Sequence, residues 1–252
     1  MDKWLLIILF VIVINSFYKI FKKSNRKKEN VYIEYKLYNG SKWGPKKTAN
    51  AYRFGDIFSG YIYEEENQGG KHPNARYIDD ISINYPNTFG SKYIEYNGYP
   101  EKYKKSDYDI LERIFDESNF EKPDDKTLVI HLRLGDIFNP NVPHLTNYYY
   151  DIEYYHKLLK KVKKNSDIKK VEIVTGLHTN FYIKESNDRL NDIRNIFESK
   201  YPVNVIITND PDKDLYYMCH SKYFVKGGKK GGFSQIVANY VKKKNNTVYQ
   251  ND

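Results

Sequence analysis

The chain has 252 residues, of which 40% are hydrophobic and 16% aromatic, which is enough apolar sequence for one large domain or two small ones. The formal net charge of +9 would fit a nucleic-acid-binding protein, but residues 1–30 contribute seven basic and two acidic side chains, so the other 222 residues hold 34 basic and 30 acidic ones. This distribution disfavours a nucleic-acid partner. The single cysteine, Cys219, excludes an internal disulfide framework.

An apolar run stands near the start of the chain. Residues 4–14 are uninterrupted apolar sequence, and with the apolar residues up to Phe21 the stretch approaches the roughly 17 to 20 residues that a membrane-spanning helix needs. No small-x-small cleavage site follows, which favours an uncleaved anchor over a cleavable signal peptide. We therefore predict a single-pass membrane protein, with residues 4–21 in the membrane and residues 1–30 forming the anchor and its basic flank.

Residues 31–122 are predicted to form a reduced N-terminal α/β half. Val31, Ile33, Tyr35 and Leu37 alternate with more polar residues, which predicts a half-buried strand. A first helix could open at residues 55–58. A second helix is predicted with Ser106 or Asp107 as its cap and an apolar face made of Ile110, Leu111, Ile114 and Phe115. Residues 121–126 then read as the linker into the second half.

The best-defined strand lies in residues 127–136, which read TLVIHLRLGD. Apolar and β-branched residues predict a short buried strand that ends at Gly135. His131, Arg133 and Asp136 therefore reach the carboxyl end of a strand together, where open α/β sheets bind their ligands. An unneutralised Arg133 there is well placed to bind phosphate. The alternative is that His131 caps the strand and Arg133 pairs with Asp136 as structural polar groups.

Helices and strands alternate after this strand. Asp151 is predicted to cap a helix, Asn187 to cap a second one, and residues 171–174 and 203–207 to form strands. The apolar stripes of the two helices are Ile152, Tyr155, Leu159 and Val162 in the first, and Leu190, Ile193, Ile196 and Phe197 in the second. This alternation predicts a parallel sheet covered on both faces, in a Rossmann-like half at residues 123–252.

Residues 214–241 form the second block that points to a ligand. They are predicted to form a short helix opened by Asp214, a strand over residues 222–225, a glycine-rich turn and a helix starting near Phe233. Such a turn presents backbone N–H groups to an anion at a helix start. The donors there are Gly231, Gly232 and Ser234, while Lys229 and Lys230 are interpreted as solvated loop residues.

Three closely spaced aspartates raise the question of a metal site. Asp210, Asp212 and Asp214 have the D-x-D spacing that can hold a divalent cation. Pro211 and the helix that follows favour turn and capping roles for these carboxylates instead. The histidines other than His131 show no ligand spacing, so we predict no metal.

Together the two blocks resemble the nucleotide-binding half of the fucosyltransferase superfamily, the α1,2, α1,6 and protein O-fucosyltransferases that use GDP-fucose. The resemblance covers residues 127 onward and does not extend to residues 30–120. It is carried by His131, Arg133, Gly135 and Asp136 in the first block, and by Asp214, Val225, Gly232, Phe233 and Ser234 in the second. It implies a GT-B-like fold, in which the reduced N-terminal half serves the acceptor.

The resemblance also implies a role for each site residue. Asp214 would accept hydrogen bonds from guanine, and His131 and Asp136 would hold the donor and orient Arg133. The remaining donor-binding residues would be Gly135, Gly231, Gly232, Phe233 and Ser234. Arg133 would stabilise the diphosphate charge that grows as the sugar leaves. The sequence departs from many members by having Leu134 where they carry a second arginine, and by its long glycine-rich turn.

We therefore expect a membrane-anchored, metal-independent glycosyltransferase that moves fucose or a related sugar from a GDP donor to a glycan or protein acceptor, with no cofactor. The alternative is a non-catalytic, membrane-tethered nucleotide-sugar-binding module. No general base stands out among Asp56, Glu64, His72, Asp79, Asp80 and Asp151. The basic cluster at residues 22–28 places the main domain on the cytoplasmic side, which conflicts with the lumenal placement common among anchored members, so the membrane side stays open.

Overall fold

The structure is a computed structural model that describes residues 29–34, 76–77, 93–95, 108–116, 119–142, 147–177, 179–208 and 210–250. The chain divides into two compact units, Met1–Val31 and Tyr32–Asp252. The predicted anchor at residues 4–21, the first predicted helix and the candidate bases before residue 108 lie outside the described residues. Among the described residues, none of the helices has the length and apolar character needed to span a bilayer.

The described part of residues 31–122 contains two short strands and one helix. Strands β1 (Arg76–Tyr77) and β2 (Tyr93–Glu95) pair in an antiparallel two-stranded sheet. Helix α1 (Asp109–Asp116) confirms the second predicted helix, and its Leu111 and Phe115 are buried. The strand predicted from Val31 is wrong over its described residues, 31–34, which are in no strand. There the main chain of Ile33 bonds to a side chain on a helix and pairs with no other strand.

The second half is built on a parallel sheet of five strands in the order β5-β4-β3-β6-β7. These strands are β3 (Thr127–Leu134), β4 (Lys170–Leu177), β5 (Val203–Ile206), β6 (Tyr223–Val225) and β7 (Thr247–Tyr249). The central strand β3 is fully buried at Leu128, Val129 and Ile130, as expected for a strand covered on both faces. The Rossmann-like α/β architecture predicted for this half is confirmed at the level of the sheet and its helices.

Four helices connect the strands of this sheet: α2 (Ile152–Val162), α3 (Ile183–Glu198), α4 (Pro211–Cys219) and α5 (Gly232–Lys243). Helices α4 and α5 share one core with α1 and with Val129 and Phe224 of the sheet. Side chains alternate along a strand, so Leu128 and Ile130 face the opposite side from Val129. The helix before residue 120 and the helices after it therefore contribute to the same hydrophobic core.

The helix starts test three capping predictions. Asp151 caps α2 as predicted, because its carboxylate accepts a 2.8 Å hydrogen bond from the Tyr154 N–H. The prediction for Asn187 is wrong: α3 begins at Ile183, after Tyr182 in the left-handed conformation, and Asn187 lies buried in its second turn. The prediction that Asp214 opens α4 is also wrong, since Asp210 is the cap and accepts from the N–H groups of residues 212 and 213.

The strand order reverses at β3. The chain runs from β3 to β4 and β5 on one side, then returns through α4 to place β6 on the other side of β3. In open α/β sheets a crevice forms at such a reversal, beyond the carboxyl ends of the strands. The end of β3 carries His131 and Arg133, and the chain leaving β6 enters the glycine-rich turn, so both predicted blocks border this crevice.

Candidate functional site

The first contact across the crevice joins His131 on β3 to Ser234 in the first turn of α5. The imidazole Nδ1 and the Ser234 hydroxyl oxygen are 2.6 Å apart and share a hydrogen bond. The Phe233 ring lies 5.6 Å from the imidazole, centroid to centroid. Residues 131 and 234 are distant in sequence, and the structure brings these predicted site residues together at one point.

Arg133 forms a two-point ion pair with Asp136. Its Nε donates to Oδ1 over 3.1 Å and its Nη2 donates to Oδ2 over 2.5 Å. The expectation of an unneutralised Arg133 is therefore wrong, because the turn at Gly135 returns a carboxylate to the guanidinium. The pair fixes the plane of the guanidinium and uses two of its five N–H donors, which leaves Nη1 for another acceptor. Both side chains keep 25% of their surface exposed, so the pair borders solvent.

Gly135 makes this turn possible. Its φ of 92° lies in the region that side chains disfavour, and its N–H donates a 3.0 Å hydrogen bond to the buried Ser186 hydroxyl on α3. The short 3₁₀ helix Asp136–Phe138 follows at once. The Gly135–Ser186 hydrogen bond therefore fixes the end of β3 and the turn against α3. This contact sets the positions of Arg133 and Asp136.

Tyr148 connects Arg133 to the loop after β6. Its ring lies 4.6 Å from the guanidinium carbon of Arg133, and the space beside the Gly231 α-carbon borders the same ring. The carbonyl of Asn147 accepts a 2.8 Å hydrogen bond from the Lys230 N–H. Arg133 and the start of α5 thus both lie next to the Tyr148 ring, which makes them parts of a single site.

The glycine loop, defined as residues 226–231, lies directly against the backbone of β3 and of residue 148. A β-carbon on Gly227 would fall 1.8 Å from the His131 carbonyl oxygen, and one on Gly228 would fall 2.1 Å from the Tyr148 carbonyl oxygen. Both approaches exclude any side chain. Gly227 and Gly228 are therefore required by close backbone packing, and the loop carries α5 to the end of β3.

The glycine loop is also positively charged. It contains Lys226, Lys229 and Lys230 and no acidic residue. The latter two are exposed, as predicted for solvated loop residues. Lys226 is buried, and its ammonium donates to the Lys229 carbonyl over 3.0 Å and to the Gln235 side-chain oxygen over 2.6 Å. Burial and the nearby Lys242 lower the pKa of Lys226, so an anion in front of this loop would stabilise its charged form.

Asp214 lies one turn into α4, beyond the carboxyl end of β5. The Thr208 hydroxyl donates a 2.8 Å hydrogen bond to its carboxylate. Burial raises the pKa of Asp214 to about 7, helped by the nearby Asp210 and opposed by the Thr208 hydrogen bond. A carboxyl group with a pKa raised this far, at the carboxyl edge of a parallel sheet, is typical of a functional group.

We predict that Asp214→Asn stabilises the folded protein above pH 7 and has little effect near pH 4. The folded protein holds the Asp214 proton up to about pH 7, whereas an unfolded aspartate has an ordinary pKa of 3.8, so the native carboxylate lowers stability as pH rises between these values. Asparagine keeps the oxygen that accepts from Thr208. Thermal unfolding at both pH values measures the difference. The exposed Asp188→Asn is the matched control, and an equal effect of both variants would contradict the prediction.

Two of the three aspartates at residues 210–214 have separate roles at the start of α4, and the third, Asp212, is buried. Asp210 caps the helix, which confirms the capping role favoured for it, and Asp214 bonds to Thr208. No group of three or more acidic, histidine or cysteine side chains in the described ranges is arranged to hold a metal ion.

Four residues of the site carried no signal that singled them out in the sequence. Tyr148 stands in a run of three tyrosines, and only the fold shows that its ring meets Arg133. Ser186 acts through its hydrogen bond to the distant Gly135, and Thr208 through hydrogen bonds to Asp210 and Asp214 in the turn and helix that follow it. Lys226 directly precedes two glycines at a strand end, and this position was the one available hint of its burial.

Comparison with known proteins adds no family assignment to this geometry. No protein-family model and no curated protein matches the sequence significantly.

Proposed function

We propose that this chain is a glycosyltransferase that takes fucose or a related sugar from a GDP donor and transfers it to a glycan or protein acceptor, without a metal. The observation that supports this most is the 2.6 Å contact between His131 and Ser234, which joins the two predicted donor blocks at the reversal point of the sheet. We further propose that residues 4–21 tether the enzyme to a membrane.

The diphosphate end of the donor fits the β3–β6 crevice. When the sugar–phosphate bond breaks, negative charge grows on the diphosphate, and fixed donors aimed at it lower the barrier. Arg133 supplies a guanidinium that Asp136 already orients, and the N–H donors that remain on Nη1 and Nη2 can hold two phosphate oxygens. Helix α5 starts at Gly232 with no side-chain cap, which leaves its first N–H groups suited to an anion.

The base end of the donor fits Asp214. The carboxyl ends of β5 and β3 lie at the same sheet edge, two strand spacings or about 10 Å apart, which suits a nucleoside with its base at one strand and its diphosphate at the other. Guanine offers adjacent N–H donors on its Watson–Crick edge, and an ionised carboxylate can accept from two of them. Adenine and uracil lack this pair of donors, so Asp214 supports a guanine nucleotide.

We predict that GDP affinity rises with pH through about 7, because only the ionised Asp214 offers two acceptor oxygens and its pKa is raised to about 7. Well below that pH the affinity should fall by up to about tenfold per pH unit, the limit for one linked proton. Calorimetric titration with GDP between pH 5.5 and 8.5 measures the slope. Asp214→Asn should bind weakly with a flat profile, and a flat profile in the unchanged protein would contradict guanine recognition by Asp214.

Donor hydrolysis and transfer assays with GDP-fucose test the proposed activity. Release of GDP that depends on Arg133 would support an enzyme, and an acceptor panel of glycans and protein domains would then define the product. GDP-mannose tests the sugar and UDP-sugars test the base. Binding of GDP-fucose with no hydrolysis and no transfer to any acceptor would instead indicate the non-catalytic binding module.

A further inference from the structure

Large apolar side chains are exposed at one place in the part of the chain that the structure describes. Tyr32 is 72% exposed, Phe181 is 64% exposed and Ile183 is 38% exposed, and within the described ranges these are the exposed large hydrophobic residues. Single exposed apolar residues scattered over a surface are ordinary. These three lie together at the start of α3, so they form one surface, named here the α3 face.

Asn187 holds the α3 face together. Its side-chain oxygen accepts a 2.7 Å hydrogen bond from the Ile33 N–H, and its amide nitrogen donates to the carbonyls of Ile33 and Ile183. Ile33 is 2% exposed, so the chain is docked there and Tyr32 is turned outward. Tyr182 adopts the left-handed conformation with φ of 59°, which costs free energy and separates Phe181 from the helix that follows.

The α3 face lies at the same edge of the sheet as the candidate site. Gly176 near the end of β4 pairs in register with Arg133, and Phe181 follows in the loop after that strand. Ser186, one residue before Asn187, accepts the hydrogen bond from Gly135. The exposed apolar side chains and the Arg133–Asp136 pair are therefore connected through the first turns of α3.

The residues that precede Tyr32 in the chain indicate that the partner of the α3 face is a membrane. Residues 4–21 are the predicted anchor, and residues 22–28 carry five basic side chains and no acidic one. The chain then docks at Ile33, and the intervening eleven residues, 22–32, span at most about 40 Å when fully extended. A tether at residues 4–21, as proposed above, would therefore join the described chain next to Tyr32 and Ile33. Aromatic and aliphatic side chains next to a basic segment are typical of a surface at the headgroup boundary. On the α3 face itself, Lys184 is paired with Asp188 over 2.6 Å.

We propose that the α3 face of the protein rests on the membrane surface, so that the carboxyl edge of the sheet, with the candidate site, is turned toward the bilayer. Tyr32, Phe181 and Ile183 enter the headgroup region, and the basic sequence of residues 22–28 supplies the charge that favours anionic lipids. This orientation rests on the predicted anchor and does not depend on which nucleotide the site binds. It would restrict acceptors to groups presented close to the membrane surface.

Depth-dependent fluorescence quenching tests this orientation. The full-length chain carrying Phe181→Cys is labelled with an environment-sensitive fluorophore and reconstituted into vesicles of phosphatidylcholine and phosphatidylserine. Nitroxide lipids then report contact at the headgroup or along the acyl chain. The native Cys219 is buried. Treating the protein without an introduced cysteine with the same fluorophore shows whether Cys219 reacts. Ser166→Cys is the matched control, because residue 166 is exposed in the loop before β4, at the opposite edge of the sheet.

We expect several-fold stronger quenching at residue 181 than at residue 166, and the strongest effect from headgroup and shallow nitroxides. Tyr32→Cys, labelled in the same way, should match Phe181→Cys and covers the case in which one variant folds poorly. Equal, weak quenching at both edges would overturn the orientation. A blue-shifted probe at residue 181 without quenching would also overturn it, since protein and not lipid would then cover the α3 face.

Discussion

Replacing Arg133 with alanine is expected to remove most of the sugar transfer while leaving the protein folded. The guanidinium is oriented by Asp136 and lies against Tyr148, where a diphosphate would develop charge. Loss of one such oriented donor costs about 2 to 4 kcal/mol of transition-state stabilisation. Stability should change little, because the ion pair is partly solvated and such pairs contribute roughly 0 to 1 kcal/mol. The ratio kcat/KM with GDP-fucose, measured beside a thermal unfolding curve, separates the two effects.

Arg194→Ala is the matched control for this substitution. Arg194 pairs with Glu198 over 2.6 Å on α3 and is even less exposed than Arg133, so removing it also breaks an arginine–carboxylate pair. Its activity should stay close to that of the unchanged protein. Asp136→Asn should give an intermediate loss, since the arginine remains but its orientation weakens. Unchanged transfer by the Arg133→Ala variant would contradict its assignment to the donor diphosphate.

Replacing Gly227 with alanine is expected to destabilise the whole second half. The new β-carbon would lie 1.8 Å from the His131 carbonyl oxygen and 2.8 Å from its carbonyl carbon. Both are backbone atoms of the central strand, so neither can rotate away, and the glycine loop must move instead. Overpacking of this kind costs about 1 to 3 kcal/mol and sometimes more, which lowers the melting temperature by roughly 2 to 4 °C per kcal/mol in a chain of this size.

Gly176→Ala provides the comparison for Gly227→Ala. It adds the same methyl group to a residue of β4, and no atom lies within 4 Å of the position that the methyl group would take. Its stability should stay within about 0.5 kcal/mol of the unchanged protein. Equal melting temperatures for the two variants would show that the glycine loop tolerates a side chain and that its contact with β3 is not required.

The features with a strong local signal could be predicted from the sequence. The strand at 127–134 combines apolar and β-branched residues with a glycine stop, and Asp151 directly precedes a helical apolar stripe. The start of α3 gave no such signal, because residues 183–189 are mostly polar and the stripe begins at Leu190. For α4, three aspartates in five residues could each cap the helix, and local pattern alone did not choose Asp210.

From the sequence, contacts between distant residues could be predicted only where two strands of a parallel sheet end at the same edge. The order of the blocks indicated that the end of the strand at 127–134 and the start of the last helix would meet at one sheet edge. The contact between His131 and Ser234 shows that these two elements do meet. Tyr148 against Arg133 and Ser186 against Gly135 depend on how loops cross the sheet edge, and no spacing encodes that. The sequence left two possibilities for Arg133, a pair with Asp136 or no pairing. Local pattern could not choose between them, because a carboxylate three residues away can turn toward the guanidinium or away from it.

Thermal unfolding of the full-length chain with and without GDP tests the site at the β3–β6 crevice most directly. A ligand at 100 times its Kd adds about 2.7 kcal/mol to the free energy of unfolding, which corresponds to a rise of roughly 5 to 10 °C. We expect this protection from GDP, much less from UDP or ADP, and a smaller rise with GDP in the Arg133→Ala variant. If the unfolding temperature is the same at every GDP concentration, the crevice binds no guanine nucleotide and the proposed function is contradicted.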